Sequence, residues 1–278
     1  MKGPVPEPPP SGLNAAGKSA VLEFFEMAVG IVGFIAVVYY MSGVTLNILA
    51  DKVPAAFERK MASLVDLDRF ETPFYAVEAE RETQRLADEL GKINGDNGPR
   101  YTVRIHDSGR METLALPGNH IVITSGLLNV IESENELVFF LAGAMGHFQN
   151  REHLRALGRG AAVIFLVSSG PGDGWANFIK KRIPLRDPRF SFRQVAAADR
   201  FALDVLERRY GHVGGALDFF RRVEAAQGPE AMAGLFPARH SIDDRVDELQ
   251  ARITALGYSP GEPTPLDPAK FRKGLVFR

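Results

Sequence analysis

Apolar positions recur at helical spacing over some stretches of the chain and at every second position over others, and the alternation between the two lays out the fold. Residues 76–92 carry Val77, Leu86 and Leu90, with Ile93 just beyond, as an apolar stripe among charges, the mark of an amphipathic helix. The run NGDNGP at 94–99 breaks it. Alternating segments at 101–105, 112–116 and 120–124 predict three strands, with a turn at Pro117, Gly118 and Asn119. A short helix is expected over 125–131. A longer one is capped by Ser133, with Glu136 placed as in a capping box, and is expected to run to about Leu157. Helical periodicity returns over 192–210, 215–224 and 242–256.

Two runs are apolar without periodicity. Residues 27–50 contain no charge, a length that spans a bilayer. The run is too long, and with Phe34, Tyr39 and Tyr40 too aromatic, for a cleaved leader. Residues 161–169 are too few to span unaided and predict a core helix, with a membrane-facing hairpin as the alternative. The chain therefore divides into a disordered proline-rich tail (1–20), a transmembrane anchor (21–50), a juxtamembrane linker (51–75), a folded domain (76–256) and a second proline-rich tail (257–278) that wraps or dangles. Lys2 and Lys18 before the span and Lys52, Arg59 and Lys60 after it leave its orientation open. One N-terminal span followed by a large domain favours a single-pass protein with that domain outside the cytoplasm.

Composition narrows the chemistry. With 278 residues, 45% of them hydrophobic, one good-sized core is expected. A net charge of -1 gives no attraction to nucleic acid, and none is expected as a partner. The absence of cysteine excludes disulfides, thiolate nucleophiles and cysteine-held metals. Residues 12–19, GLNAAGKS, match the phosphate-loop pattern letter for letter, but a polyproline run precedes them and an apolar span follows. Phosphate binding needs a strand before that loop and a helix aimed at the phosphates after it, so no nucleotide is expected. The basic residues Lys180, Lys181, Arg182, Arg186, Arg189 and Arg193 form either a solvated face or a contact with anionic headgroups.

Residues 141–153 read LAGAMGHFQNREH, the frame of an H-E-x-x-H helix from which most of the chemistry is gone. Such a helix presents two imidazoles one turn apart with a glutamate beside them as base. Four stretches in order resemble the membrane-associated zinc peptidase family that contains HtpX, BepA and the CAAX prenyl endopeptidases, of the gluzincin type. They are LPGNHIVITSGLL (116–128), ENELVFFLAGAMGH (134–147), AAADR (196–200) and RHSIDDRV (239–246). The resemblance covers about residues 76–256. It implies an α+β fold: a mainly helical, zincin-like metallopeptidase domain with a small antiparallel sheet, behind one N-terminal transmembrane helix.

The same resemblance puts Gly143 at the first zinc-ligand position, Ala144 at the position of the catalytic base, His147 at the second ligand and Val195 at the third, with Asp199 one turn later. Aligned on Arg245, Arg239 replaces the family's histidine and His240 its proline. Hydrolysis needs three protein ligands and an open position, and one ligand remains. His147, Glu152 and His153 lie within two turns, but His147 and His153 are six apart, about 240° round a helix, and do not face each other. His120 and His240 could approach His147 only through the fold. No G-x-S-x-G elbow is present.

The expectation is a membrane-anchored, catalytically inactive pseudopeptidase that serves as an interaction or scaffold subunit. No zinc or other cofactor is expected. The remnant cleft would be formed by His147, Asp199, His240 and Arg245, and an edge strand made of His120, Ile121, Val122 and Ile123 would hold a protein or peptide partner. Two alternatives stand beside it: an active zinc metalloendopeptidase of membrane protein quality control with unusual ligands, and an accessory subunit working through its transmembrane helix.

Overall fold

The computed structural model describes residues 19, 21–30, 33, 34, 37, 67–93, 99–152, 190–227 and 242–271. Most of the expected span, the apolar run 161–169, the basic residues from Lys180 to Arg189, His153 and His240 lie outside the described residues. No helix among the described residues is long and apolar enough to cross a membrane.

Helix α1 (Val77–Ile93) has Glu78 and Glu80 in its first turn and Lys92 in its last, each favourable to the helix dipole. Its buried face is Ala79, Thr83, Leu86, Ala87 and Leu90. Val77, assigned to the apolar stripe from the sequence, is instead 46% exposed. From the opposite face Gln84 donates to the Tyr101 carbonyl and accepts from the Val103 N–H. It thereby satisfies backbone groups along the outer side of strand β1 (Thr102–His106) that would otherwise be orphaned.

The sheet also contains β2 (Thr113–Leu116) and β3 (His120–Thr124), in the order β1-β3-β2. β3 pairs parallel with β1 and antiparallel with β2, so the sheet is mixed where an antiparallel one was expected. His120, Ile121, Val122 and Ile123 accordingly form the central strand and not an edge. The physical reason is the uninterrupted run of Ile121, Val122 and Ile123, all fully buried, beside the alternating exposure of β1. A continuous apolar run is stable where both faces and both edges are covered. Gly118 and Asn119, both at positive φ, make the turn from β2 to β3.

Helix α2 (Ser125–Val130) is capped by the Thr124 hydroxyl, which accepts the Leu127 N–H. Helix α3 (Glu134–Gln149) is capped by Ser133, which accepts the Glu136 N–H; the Glu136 carboxylate accepts from the Glu132 N–H and from both ends of the Arg222 guanidinium. α3 is buried nearly all round and is the axis of the core. Phe139 and Phe140 meet Phe219 and Phe220 of α5 (Asp218–Gln227) edge to face.

Helix α4 (Phe192–Tyr210) starts at a full capping box, Ser191 with Gln194, and stops at Gly211 in the left-handed conformation. It lies closely along α3: a Cβ on Gly146 would come within 3.0 Å of the Ala198 Cα. Only glycine permits that approach. Helix α6 (Ile242–Leu256) packs on α4. The following segment wraps back over the start of α3: Leu266 donates to the Glu132 carbonyl, Glu134 to that of Thr264, and Phe271 of α7 (Pro268–Phe271) is buried.

Candidate functional site

The site is assembled where α3, α4 and α6 converge. α3 was expected to run to about Leu157 but ends at Gln149, where Asn150 caps it and Arg151 takes a φ of 51°. That single left-handed residue reverses the chain. Had the helix continued, residue 152 would lie about 140° round the axis from residue 147; instead the buried Glu152 folds back, its Oε2 2.6 Å from His147 Nδ1. The other side of the imidazole is covered by Phe190, stacked at 3.6 Å between ring centroids and 10° between planes. The His147 ring is thus held by a carboxylate at its rim and an aromatic face above.

The flanking positions carry no polar side chain. A Cβ built on Gly143 would meet no atom of the described residues within 4 Å, and Ala144 beside it is buried. Val195, on the facing side of α4, is buried too. One turn on, Asp199 is also buried, but both its oxygens are engaged. Arg245 of α6 donates through Nε to Oδ2 at 2.7 Å and through Nη2 to Oδ1 at 2.6 Å, with its guanidinium 4.7 Å above the Phe220 ring. Asp199 and Arg245 therefore fasten α4 to α6.

Among the described residues no three His, Asp or Glu side chains are grouped closely enough to hold a metal. The donor chemistry agrees. The side chains of Gly143, Ala144 and Val195 have no lone pair to give and both Asp199 oxygens accept from Arg245, so His147, whose Nδ1 meets the Glu152 carboxylate as that of a metal-ligating histidine commonly does, is the one ligand position of the three that keeps a donor atom. A catalytic zinc centre of three protein ligands does not fit these residues.

His120 opens the central strand, opposite Thr102 and Leu116. Its Nδ1 has no hydrogen-bond partner among the described residues, and burial, followed by the nearby Arg104, lowers its pKa. The true edge beside the site is β2, which contacts α3. Thr124 donates its N–H to the Glu112 carbonyl, so the alternation of an antiparallel pair turns the N–H and C=O groups of Thr113 and Ala115 away from β3.

Phe190, distant in the chain, is the member of the site that sequence reasoning missed. Glu152 was noted within two turns of His147, but their contact depends on an αL turn at a non-glycine residue, which the sequence did not signal.

Among protein families, the model of peptidase family M48 matches residues 76–253, well over half of the chain. Comparison with curated proteins found no match. A mainly helical domain with a small mixed sheet is consistent with the zincin-like architecture of that family.

Proposed function

We propose that this chain, which belongs to peptidase family M48, is a catalytically inactive member that works at a membrane as an interaction or scaffold subunit. The observation that carries the reading is the replacement of chemistry around His147. Gly143 and Val195 have no side-chain atom to coordinate and Ala144 cannot take a proton, so the His147 imidazole is left as a single ligand where hydrolysis needs three. Loss of a base alone costs about 10²–10⁴-fold in rate, and without a metal nothing here would activate water.

The membrane part of the reading is supported by residues 21–30, helical and carrying Val21, Leu22, Phe24, Phe25, Met27 and Val29 exposed. Burying such side chains is worth about 1.5–3 kcal/mol each, and a bilayer supplies the apolar surroundings. In the sequence the uncharged run 27–50 follows, long enough to span a bilayer. The partner is a protein segment bound in extended form along β2, where the N–H and C=O groups of Thr113 and Ala115 point away from β3; Ala115 is 1% exposed, so pairing there displaces what covers this edge.

Elemental analysis of the purified full chain, together with a peptidase assay on unfolded protein, tests the first half: the expected result is far less than one zinc per chain and no turnover. About one zinc per chain with activity lost on His147→Ala would instead favour an active metalloendopeptidase with unusual ligands. Ala115→Pro tests the second half, since it removes an outward donor and leaves the ladder to β3 intact. It is expected to weaken association with the native partner, and undiminished association would overturn the edge assignment.

A further inference from the structure

Phe74 is 90% exposed, more than any other large apolar side chain among the described residues, and Val77 one turn on is 46% exposed. The exposure is built in. Phe74 opens a short 3-10 turn (Phe74–Ala76) set by Pro73, whose carbonyl accepts the Ala76 N–H. Tyr75, which packs against the core, stands edge-on to Phe74 at 5.7 Å between ring centroids. Residues three apart in such a turn share a face, so Phe74 and Val77 project together, with the paired Glu78 and Arg81 at their rim.

The position of this knob in the chain identifies its occupant. Sixteen residues, 51–66, separate the end of the uncharged run at Ala50 from the described chain at Leu67. Whatever its conformation, a chain of that length reaches at most about 53–58 Å, which tethers the Leu67-to-Val77 corner, first in the domain, to the membrane that holds the anchor. Charge does not supply the attraction: Lys52, Arg59, Lys60 and Arg69 are balanced by Asp51, Glu58, Asp66, Asp68 and Glu71. The corner exposes Asp68, Arg69 and Glu71, of mixed sign, and its apolar projection is Phe74 with Val77.

We propose that Phe74 and Val77 insert into the interfacial zone of the bilayer and dock the domain on the membrane that holds its anchor. This rests on the membrane reading above and adds a second contact, made by the folded domain itself. Docking fixes the orientation of the domain, and with it the height and direction of the β2 edge relative to the lipid surface.

The test uses the full chain with its single tryptophan removed (Trp175→Phe), reconstituted in phosphatidylcholine vesicles whose acyl chains are brominated at a shallow or a deep position. Phe74→Trp reports the knob and, in a separate protein, Val29→Trp reports the anchor. The expected result is loss of emission in both. For Phe74→Trp the loss is greater with shallow bromine, is unaltered by adding anionic lipid, and is reduced when Val77→Asp is added. Unquenched Phe74→Trp emission with quenched Val29→Trp emission overturns the docking proposal and leaves the anchor standing; this includes the case where the emission shifts to the blue because another protein or a second copy covers the site. Quenching that requires anionic lipid overturns it as well. Unquenched Val29→Trp emission overturns the anchor reading, and docking falls with it.

Discussion

Replacing Arg245 by alanine breaks the buried ion pair that joins α4 to α6. Arg245 and Asp199 are each less than a tenth exposed and are joined by two charge-assisted hydrogen bonds, and the guanidinium also lies over Phe220. Arg245→Ala strands a buried carboxylate. Breaking a buried pair by removing one partner costs about 3–5 kcal/mol, mostly the penalty of the uncompensated charge. Loss of the contact with the aromatic face adds about 0.5–2 kcal/mol. Against a total stability of about 5–15 kcal/mol for a domain, the variant should sit near its unfolding threshold. For a domain of this size 1 kcal/mol is worth about 2–4 °C, so the pair term alone lowers the melting temperature by about 6–20 °C. Thermal unfolding of the full chain in detergent, followed by far-ultraviolet circular dichroism, measures it. The double variant Asp199→Leu with Arg245→Met removes both charges and keeps apolar volume, and should regain most of the loss. A single variant that melts within a few degrees of the parent, or a double variant as unstable as the single, would refute the assignment of Asp199 as a structural fastener and return it to the list of residues free to serve a ligand.

Two further outcomes follow from the same geometry. Gly143→His with Ala144→Glu and Val195→Glu rebuilds the ligand set at three positions, the last two of them buried, so the apo variant should be less stable than the parent and should gain stability on adding zinc, by about 4 kcal/mol at a thousandfold excess over its dissociation constant; no zinc-dependent rise in melting temperature would mean that the helix frame is not aligned as the resemblance implies. Because burial lowers the pKa of His120 in the folded chain below its ordinary value of 6.5, the unfolded chain binds more protons below that pH. Stability should therefore fall as pH drops through 6.5, and His120→Gln should flatten part of that fall; an unchanged pH profile in urea titrations would contradict it.

The sequence by itself determined where the helices and strands lie, because period and caps are local. Ser133 and Ser191 start their helices, Gly211 stops one, and the stripe of Leu86 and Leu90 needs no partner to be legible. It also determined what is missing, since glycine, alanine and valine at 143, 144 and 195 lack donors in any fold. The strand order was misread: residues 120–123 were expected at an edge and lie at the centre, because the pairing of β1 with β3 skips β2 and no local period encodes a skipped neighbour. Only the tertiary structure decided the company kept by the surviving polar groups. Glu152 reaches His147 because one non-glycine residue turns left-handed, Phe190 arrives from beyond a long intervening segment, and Arg245 meets Asp199 across 46 positions. Each of these depends on how helices pack, and packing joins residues by volume and charge in space, which spacing along a chain does not record.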